Sequence, residues 1–272
     1  MVLTLEAAES VAKIVRKVGT YQMTHFGKLE TISEKGRNDL VTKVDRESEL
    51  ILYKELKALG EEWNQNISFL GEEYGFQNSG HDWSWIVDPI DGTTNFVHGL
   101  DMFSISIGLC FQNVPKLGLV YRPYTNDLYL GVEGLGAYLN GHRLPALEPK
   151  DISQSLIGTG FPFKSKELYA AFFAASEGVL STARDMRRCG SAALDLCFLA
   201  SGVFQGFWEC DLKPYDVAGA IPLLNEVGAQ IWNIQAQPYQ LGEGRFFMAG
   251  NPTVMPELYR VVSKHYSQLL KE

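Results

Sequence analysis

The sequence predicts a mixed α/β protein in which strands are sandwiched between helix layers in both halves of the chain. Three observations carry the prediction. The first 60 residues show helical periodicity, the run from 83 to about 140 turns to β texture, and beyond it helical stretches alternate with short β runs. A soft boundary near Pro145 to Lys150 divides an N-terminal α+β half (1–147) from a C-terminal α/β half (148–272), the two forming a single integrated unit.

The elements follow in order. Leu5, Ala8, Val11, Ala12, Val15 and Val18 form an apolar stripe that predicts a helix over about 3–26. Glu6 and Glu9 come early in it, Lys13, Arg16 and Lys17 later, as the helix dipole favours, and Gly27 is its expected stop. A second helix is expected over about 43–59, ended by Gly60. The apolar "ISFL" then leads into Gly71-Glu72-Glu73, and "WSWIV", "FSISIGLCF", "KLGLVY" and "DLYLG" read as strands separated by Asn, Pro and Gly signals. Farther on, helices are expected at about 165–181, 191–201 and 215–227, alternating with the β runs "SLIGTG", "VFQGFWE" and "FFMAG". Pro222 should remove a backbone bond inside the last of these helices and kink it.

Composition narrows the functional class. A formal net charge of −8 argues against a nucleic-acid backbone as the main ligand. No apolar run approaches the roughly 18 residues that span a bilayer. The N-terminus does not read as a secretion signal, so a cytoplasmic protein is expected. The four cysteines contain no C-x-x-C pair and read as core thiols in a reducing compartment.

The informative stretch is "WSWIVDPIDGTTNFVHG", Trp83 to Gly99, where an apolar strand runs into two acids. Proline biases the residue before it toward extended geometry, so Asp88 should be the last strand residue. Gly92 then permits a turn, and Thr93 and Thr94 can open a short helix whose free amides suit a phosphate. Two carboxylates beside a phosphate repel each other and the substrate. Divalent cations remove that conflict, and an all-oxygen donor set suits Mg²⁺. A D-x-x-D spacing alone also fits turns and helix caps.

Further ligands must come from elsewhere in the chain. Glu72 follows "ISFL" and should sit at a strand end beside the first acids. A second Gly-Glu-Glu, Gly60-Glu61-Glu62, follows a helix and reads as a solvated turn. Asp216 opens the apolar "YDVAGAIPLLNEVGA", where stabilising a helix N-terminus would also explain it.

These residues resemble the inositol monophosphatase family, particularly its bacterial SuhB-type members. "VDPIDGTTNFVHG" is preceded by "KGRNDLVTKVD" and "LGEEYG" and followed by "RRCGSAALDLC" and "YDVAGAIPLLNEVGA", so the likeness covers nearly the whole chain. One departure is Tyr215, where many members carry Trp; a packing role there should leave the chemistry unaffected. The resemblance implies a layered α-β-α-β-α sandwich of the inositol monophosphatase/fructose-1,6-bisphosphatase type, a homodimer, and lithium inhibition. It implies Glu72, Asp88, Asp91 and Asp216 as side-chain metal ligands and the Ile90 carbonyl as a backbone ligand, for two or three Mg²⁺ ions. Glu72, Thr93 and Asp45 are the implied catalytic residues, Thr93 pairing with Asp45 to orient or deprotonate the attacking water. Read alone, Asp45 is an acid in the first turn of a helix after Thr42. The amides of Gly92 and Thr93 would hold the phosphate. Glu209 would accept hydrogen bonds from substrate hydroxyls near the Gly190 to Ala192 backbone, with Asp91 and Asp216 also touching the substrate.

The implied reaction is in-line attack of water on a small phosphate monoester, with no covalent intermediate. No G-x-S-x-G elbow, C-x5-R thiol motif or P-loop lysine is present, and none of the five histidines has a helical H-x3-H partner. Glu209 favours a polyol, hence inositol monophosphate. Fructose 1,6-bisphosphate, histidinol phosphate, adenosine 3′,5′-bisphosphate and NADP are the rival substrates. SuhB-type relatives add a rival of another class, a protein partner in transcription or ribosomal RNA maturation, for which Arg187-Arg188 could supply a surface.

Overall fold

The computed structural model describes residues 2–28, 32–36, 39–77, 80–267 and 269; of the stretch 35–45 quoted above, residues 37 and 38 lie outside it. The N-terminal stripe forms α1 (Leu5–His25), capped by the Thr4 side chain and left through Phe26 and Gly27. After β1 (Ile32–Gly36) and β2 (Asp39–Thr42) comes α2 (Lys43–Glu62). Gly60 does not stop α2, which runs on to Glu62, so Glu61 and Glu62 are exposed in its last turn instead of a loop.

Next come β3 (Ile67–Gly71), β4 (Gly75–Gln77), β5 (Trp83–Asp91), α3 (Thr93–Val97), β6 (Ser104–Phe111), β7 (Val114–Arg122), β8 (Asp127–Val132), β9 (Gly136–Leu139) and β10 (His142–Arg143). The second half holds β11 (Leu156–Thr159), α4 (Tyr169–Leu180), β12 (Asp185–Arg187), α5 (Ala192–Ala200), β13 (Gly206–Cys210), α6 (Pro214–Val217), α7 (Ile221–Glu226), β14 (Gln230–Trp232), β15 (Phe246–Gly250) and α8 (Met255–Ser263). Among the described residues an eight-stranded sheet has the order β10-β9-β8-β7-β6-β5-β3-β4, and a five-stranded sheet the order β12-β11-β13-β15-β14. The division expected at 147/148 lies in the connection between them.

Two-residue periodicity assigns each sheet face to its own core. Ile105, Ile107 and Leu109 of β6 and Leu117, Leu119 and Tyr121 of β7 pack against α1 and α2. Val120 and Tyr129, from the opposite face, meet α5 and α7 together with Phe207, Phe247 and Ala249 of the second sheet. The alternate residues Phe246 and Met248 join α4 and α8 beyond it. The result is a layered α-β-α-β-α sandwich.

The helix expected over 215–227 is two helices, because Pro222 occupies the first turn of α7, where it removes no intrahelical bond. Their close approach to the first sheet depends on Gly108, Gly118 and Gly131, which stand in register across β6, β7 and β8. A Cβ on Gly118 would lie 2.1 Å from the Gly219 carbonyl oxygen, and one on Gly108 would lie 2.6 Å from the Ala218 Cβ. This stripe sets the depth at which Asp216 reaches the sheet. Gly118→Ala is therefore expected to lower the unfolding free energy by about 1–3 kcal/mol, the usual range for overpacking, as read from a denaturant midpoint.

Candidate active site

The carboxylates of Asp88, Asp91 and Asp216 converge, each offering an oxygen within 4.8 Å of the others. In a regular strand, residues three apart face opposite sides. Here β5 does not end at Asp88 as expected but continues to Asp91, and its pairing slips between them: Asp88 faces Ser106 while Asp91 faces Ser104. Three residue steps on β5 thus match two on β6, a bulge that turns both acids to one side and accommodates Pro89 inside a central strand. Gln22 of α1, fully buried, donates from Nε2 to the Pro89 carbonyl at 2.7 Å and holds the bulge.

Each acid commits one oxygen to a fixed donor. Asp88 Oδ1 accepts from the Ile90 amide at 2.9 Å, and Asp216 Oδ2 accepts from the Lys213 amide at 2.6 Å. Asp91 Oδ2 takes the Ser191 hydroxyl at 2.5 Å and the Ala193 amide at 2.7 Å. Asp88 also shares a side-chain hydrogen bond with Glu72, and Asp91 takes a further amide from Ala192.

Burial, then the charges of Glu72, Asp91 and Asp216, hold Asp88 well above the ordinary carboxylate range. Burial lifts Asp91 to about 6, against the donors from Ser191, Ala193 and Ala192. Asp216 rises to about 7, through burial and the charge of Asp91. Without a cation these groups favour protons, which is the signature of a donor set short of positive charge. Buried, oxygen-only and clustered, it fits a hard divalent ion.

Glu72 leaves β3 at the edge of the same cavity and interacts directly with Asp88. Thr93 Oγ1 lies 2.8 Å from Asp45 Oδ1 and 3.1 Å from the Ile90 carbonyl oxygen. Asp45 makes the contacts of a helix cap and of a Thr93 partner at once: its Oδ2 closes a capping box on the Thr42 amide at 2.9 Å while Oδ1 takes Thr93. Gly92 has φ 95°, and a Cβ there would lie 2.9 Å from the Met102 carbonyl oxygen, so the turn into α3 needs glycine on both counts. Glu209 stands at the end of β13, and burial, then Asp216, holds its carboxyl well above the ordinary range. A Cβ on Gly160 would meet that carboxyl at 2.0 Å.

All the expected site residues line one cavity except Asp45, which sits behind Thr93. Residues not foreseen complete it. Ser191 was legible as a helix cap before the apolar "AALDLCFLA", and it does cap α5 while its proton goes to Asp91. Asn95 ties α3 to the opposite wall through the Cys189 carbonyl at 2.9 Å. Asp195 lines the cavity from the buried α5, raised to about 7 by burial. Arg188 is exposed, as a surface residue should be, and also stands at the cavity mouth with its guanidinium 5.0 Å from the Phe161 ring centre. Tyr215 lines the cavity too, and packs beside Ile86 and Cys110. The four cysteines are free thiols, three of them buried. Among the described residues no helix is long and apolar enough to cross a membrane.

Comparison with known proteins agrees with this geometry. The model of the inositol monophosphatase family matches residues 4–267. A fructose-1,6-bisphosphatase/inositol-1-monophosphatase of Aquifex aeolicus is 33% identical over 258 residues, 94% of this chain and 95% of that protein. The Nus factor SuhB of Escherichia coli K12 is 31% identical over 95% of this chain and 96% of its own. Among solved structures, the SuhB protein of Bartonella henselae superposes with a TM-score of 0.88 at 29% identity, covering 95% of this chain and 99% of that one. The Thermotoga maritima inositol monophosphatase gives a TM-score of 0.86 at 29% identity, covering 97% and 99%. With its acids gathered on a β-bulge and a family match along almost its whole length, the chain belongs to the inositol monophosphatase family of phosphatases.

Proposed function

We propose that the protein is a Mg²⁺-dependent phosphomonoesterase that hydrolyses inositol monophosphate to inositol and phosphate. The observation that supports this most is the convergence of Asp88, Asp91 and Asp216, the first two buried and the third half-buried, in one cation-deficient cluster. These three, with Glu72 and the Ile90 carbonyl, would hold two or three Mg²⁺ ions. Bound there, the ions would lower the pKa of a water to make a nucleophile and stabilise the leaving oxygen.

The chain's own residues supply orientation and proton transfer. Ser191 and Ala193 pin Asp91 so that its second oxygen keeps a fixed direction. Thr93 commits its proton to Asp45, which leaves a lone pair to accept from the attacking water. Burial raises Asp45, so it can take a proton passed through Thr93. The free amides of Gly92 and Thr93, at the start of α3, meet the phosphate oxygens. Glu209, pressed against Gly160, exchanges a hydrogen bond with a substrate hydroxyl, which favours a polyol such as inositol phosphate. The same reading includes lithium inhibition, a homodimer and a cytoplasmic setting.

The test is phosphate release from myo-inositol 1-phosphate with and without Mg²⁺, beside an Asp91→Asn control and a panel of fructose 1,6-bisphosphate, histidinol phosphate, adenosine 3′,5′-bisphosphate and NADP. Mg²⁺-dependent release that the control abolishes is expected, with inositol 1-phosphate the best substrate. Faster turnover of a panel member would reassign the substrate, and release without Mg²⁺ would overturn the metal reading. The relatives called Nus factor SuhB favour one additional role, binding to a transcription complex. That role should survive Asp91→Asn in a pull-down with purified transcription proteins.

A further inference from the structure

The turn that carries Glu72 is built around a second, fully buried carboxylate. Glu49 of α2 is 0% exposed. Its Oε2 accepts the amide of Glu73 at 2.7 Å and its Oε1 the amide of Tyr74 at 2.9 Å. On the other side of Glu72, a Cβ on Gly71 would lie 2.1 Å from Glu49 Oε1, so the carboxylate lies flat against the Gly71 backbone. Glu72 is therefore the residue between the glycine that Glu49 packs on and the two amides that Glu49 holds.

Capping an ordinary turn does not call for this arrangement. A surface Asn or Ser caps a turn without burying a charge. Here a fully buried carboxylate is spent on the turn that carries Glu72, whose side chain bonds Asp88. The position of Glu49 on its helix gives the reason. Asp45, Ser48 and Glu49 stand at i, i+3 and i+4, on one buried face of α2. Asp45 holds Thr93 at 2.8 Å, and Ser48 accepts from the Gln22 side chain that holds the Pro89 carbonyl. Glu49, on the same face, holds the amides that follow Glu72.

We propose that Glu49 is a positioning residue for the cation site: through the amides of Glu73 and Tyr74 it aims the Glu72 carboxylate at Asp88. The proposal rests on the reading of Glu72 as a metal ligand. Partners that orient ligands from behind are worth about 10- to 100-fold in metal affinity. Glutamine is nearly isosteric with Glu49 but presents a donor to one of the two amides, so Glu49→Gln loses that bond and keeps the volume.

The experiment titrates Mn²⁺ calorimetrically into the substrate-free full chain, as wild type, Glu49→Gln, Glu72→Gln and the double variant. The Mg²⁺ half-saturation and the KM for myo-inositol 1-phosphate are measured alongside. Glu49→Gln is expected to weaken the weakest cation site by about 10- to 100-fold, with the substrate KM within about twofold. The double variant should bind no worse than Glu72→Gln alone, since Glu49 acts only through Glu72. If Glu72→Gln leaves cation binding intact, the ligand reading of Glu72 is wrong and the proposal falls with it. A loss in Glu72→Gln beside a folded Glu49→Gln that binds like wild type overturns the proposal alone, as does an additive loss in the double variant. If Glu49→Gln does not unfold cooperatively, Glu49→Asp is read in its place. If neither folds, Glu49 is a folding residue and the positioning role is rejected.

Discussion

Replacing Asp88 with Asn should cost on the order of 10³-fold or more in phosphate release while making the cation-free protein more stable. The two effects have one origin. Asp88 is 2% exposed, and Glu72, Asp91 and Asp216 all press its charge toward the protonated form. As the central ligand of the proposed cation site, Asp88 should cost more than the roughly 10- to 100-fold typical of residues that only orient ligands. The amide oxygen of Asn can still accept from Ile90, so the bulge keeps its internal bond while one uncompensated charge disappears. For a chain of this size each kcal/mol gained is worth about 2–4 °C in Tm. The check is a pair of melting curves in EDTA together with an assay at saturating Mg²⁺. An inactive variant that also melts lower would place Asp88 in the fold and not in a cation site; an active one would remove it from the chemistry altogether.

How much of this was legible in the sequence depended on the range of the interaction that carries it. α1, α5 and the strands β5 to β8 declare themselves through local periodicity, and their bounds fall within a few residues of expectation. The acids were legible because Asp88-Pro89-Ile90-Asp91-Gly92-Thr93 holds them in one short string. Errors came where tertiary packing overrode a local signal. Gly60 reads as a stop but is tolerated inside α2, where it is buried. Asp88 reads as a strand end before proline, yet a bulge held by Gln22 from α1 keeps the strand going to Asp91. No pattern near Asp91 tells of Ser191, 100 positions away, nor any near Glu72 of Glu49. Such supports follow from the fold, and only the acids of the Asp88–Thr93 string leave a compact local trace. Arg188 shows the same limit in reverse, since its charge was visible but its place over Phe161 was not.

The cation-free protein should lose stability as the pH rises from about 5 to 8, and Mg²⁺ should reverse that trend. Asp91 and Asp216 titrate near 6 and near 7 in the folded chain, against an ordinary value of 3.8, and burial raises Asp88, Asp195 and Glu209 in the same direction. Across that window the native state binds more protons than the unfolded one, so the unfolding free energy must fall with rising pH. The carboxylates shifted the other way, such as Asp211 beside Arg245, lie below the ordinary range and change protonation at more acid pH. A cation that binds the ionised cluster competes with these protons. Its stabilisation, about 2.7 kcal/mol at a hundredfold excess over Kd, should therefore be full near pH 8 and fade toward pH 5. Melting curves in EDTA and in Mg²⁺ would converge at acid pH and separate as the pH rises, and calorimetry would record protons released on cation binding near pH 6 to 7. A cation-free curve that climbs through the same window would mean that the cluster is compensated by other charges, and that its acids are not held ready for a cation. Because protons and cations compete for the same oxygens, the pH at which the two curves part also marks the lower limit for phosphatase activity.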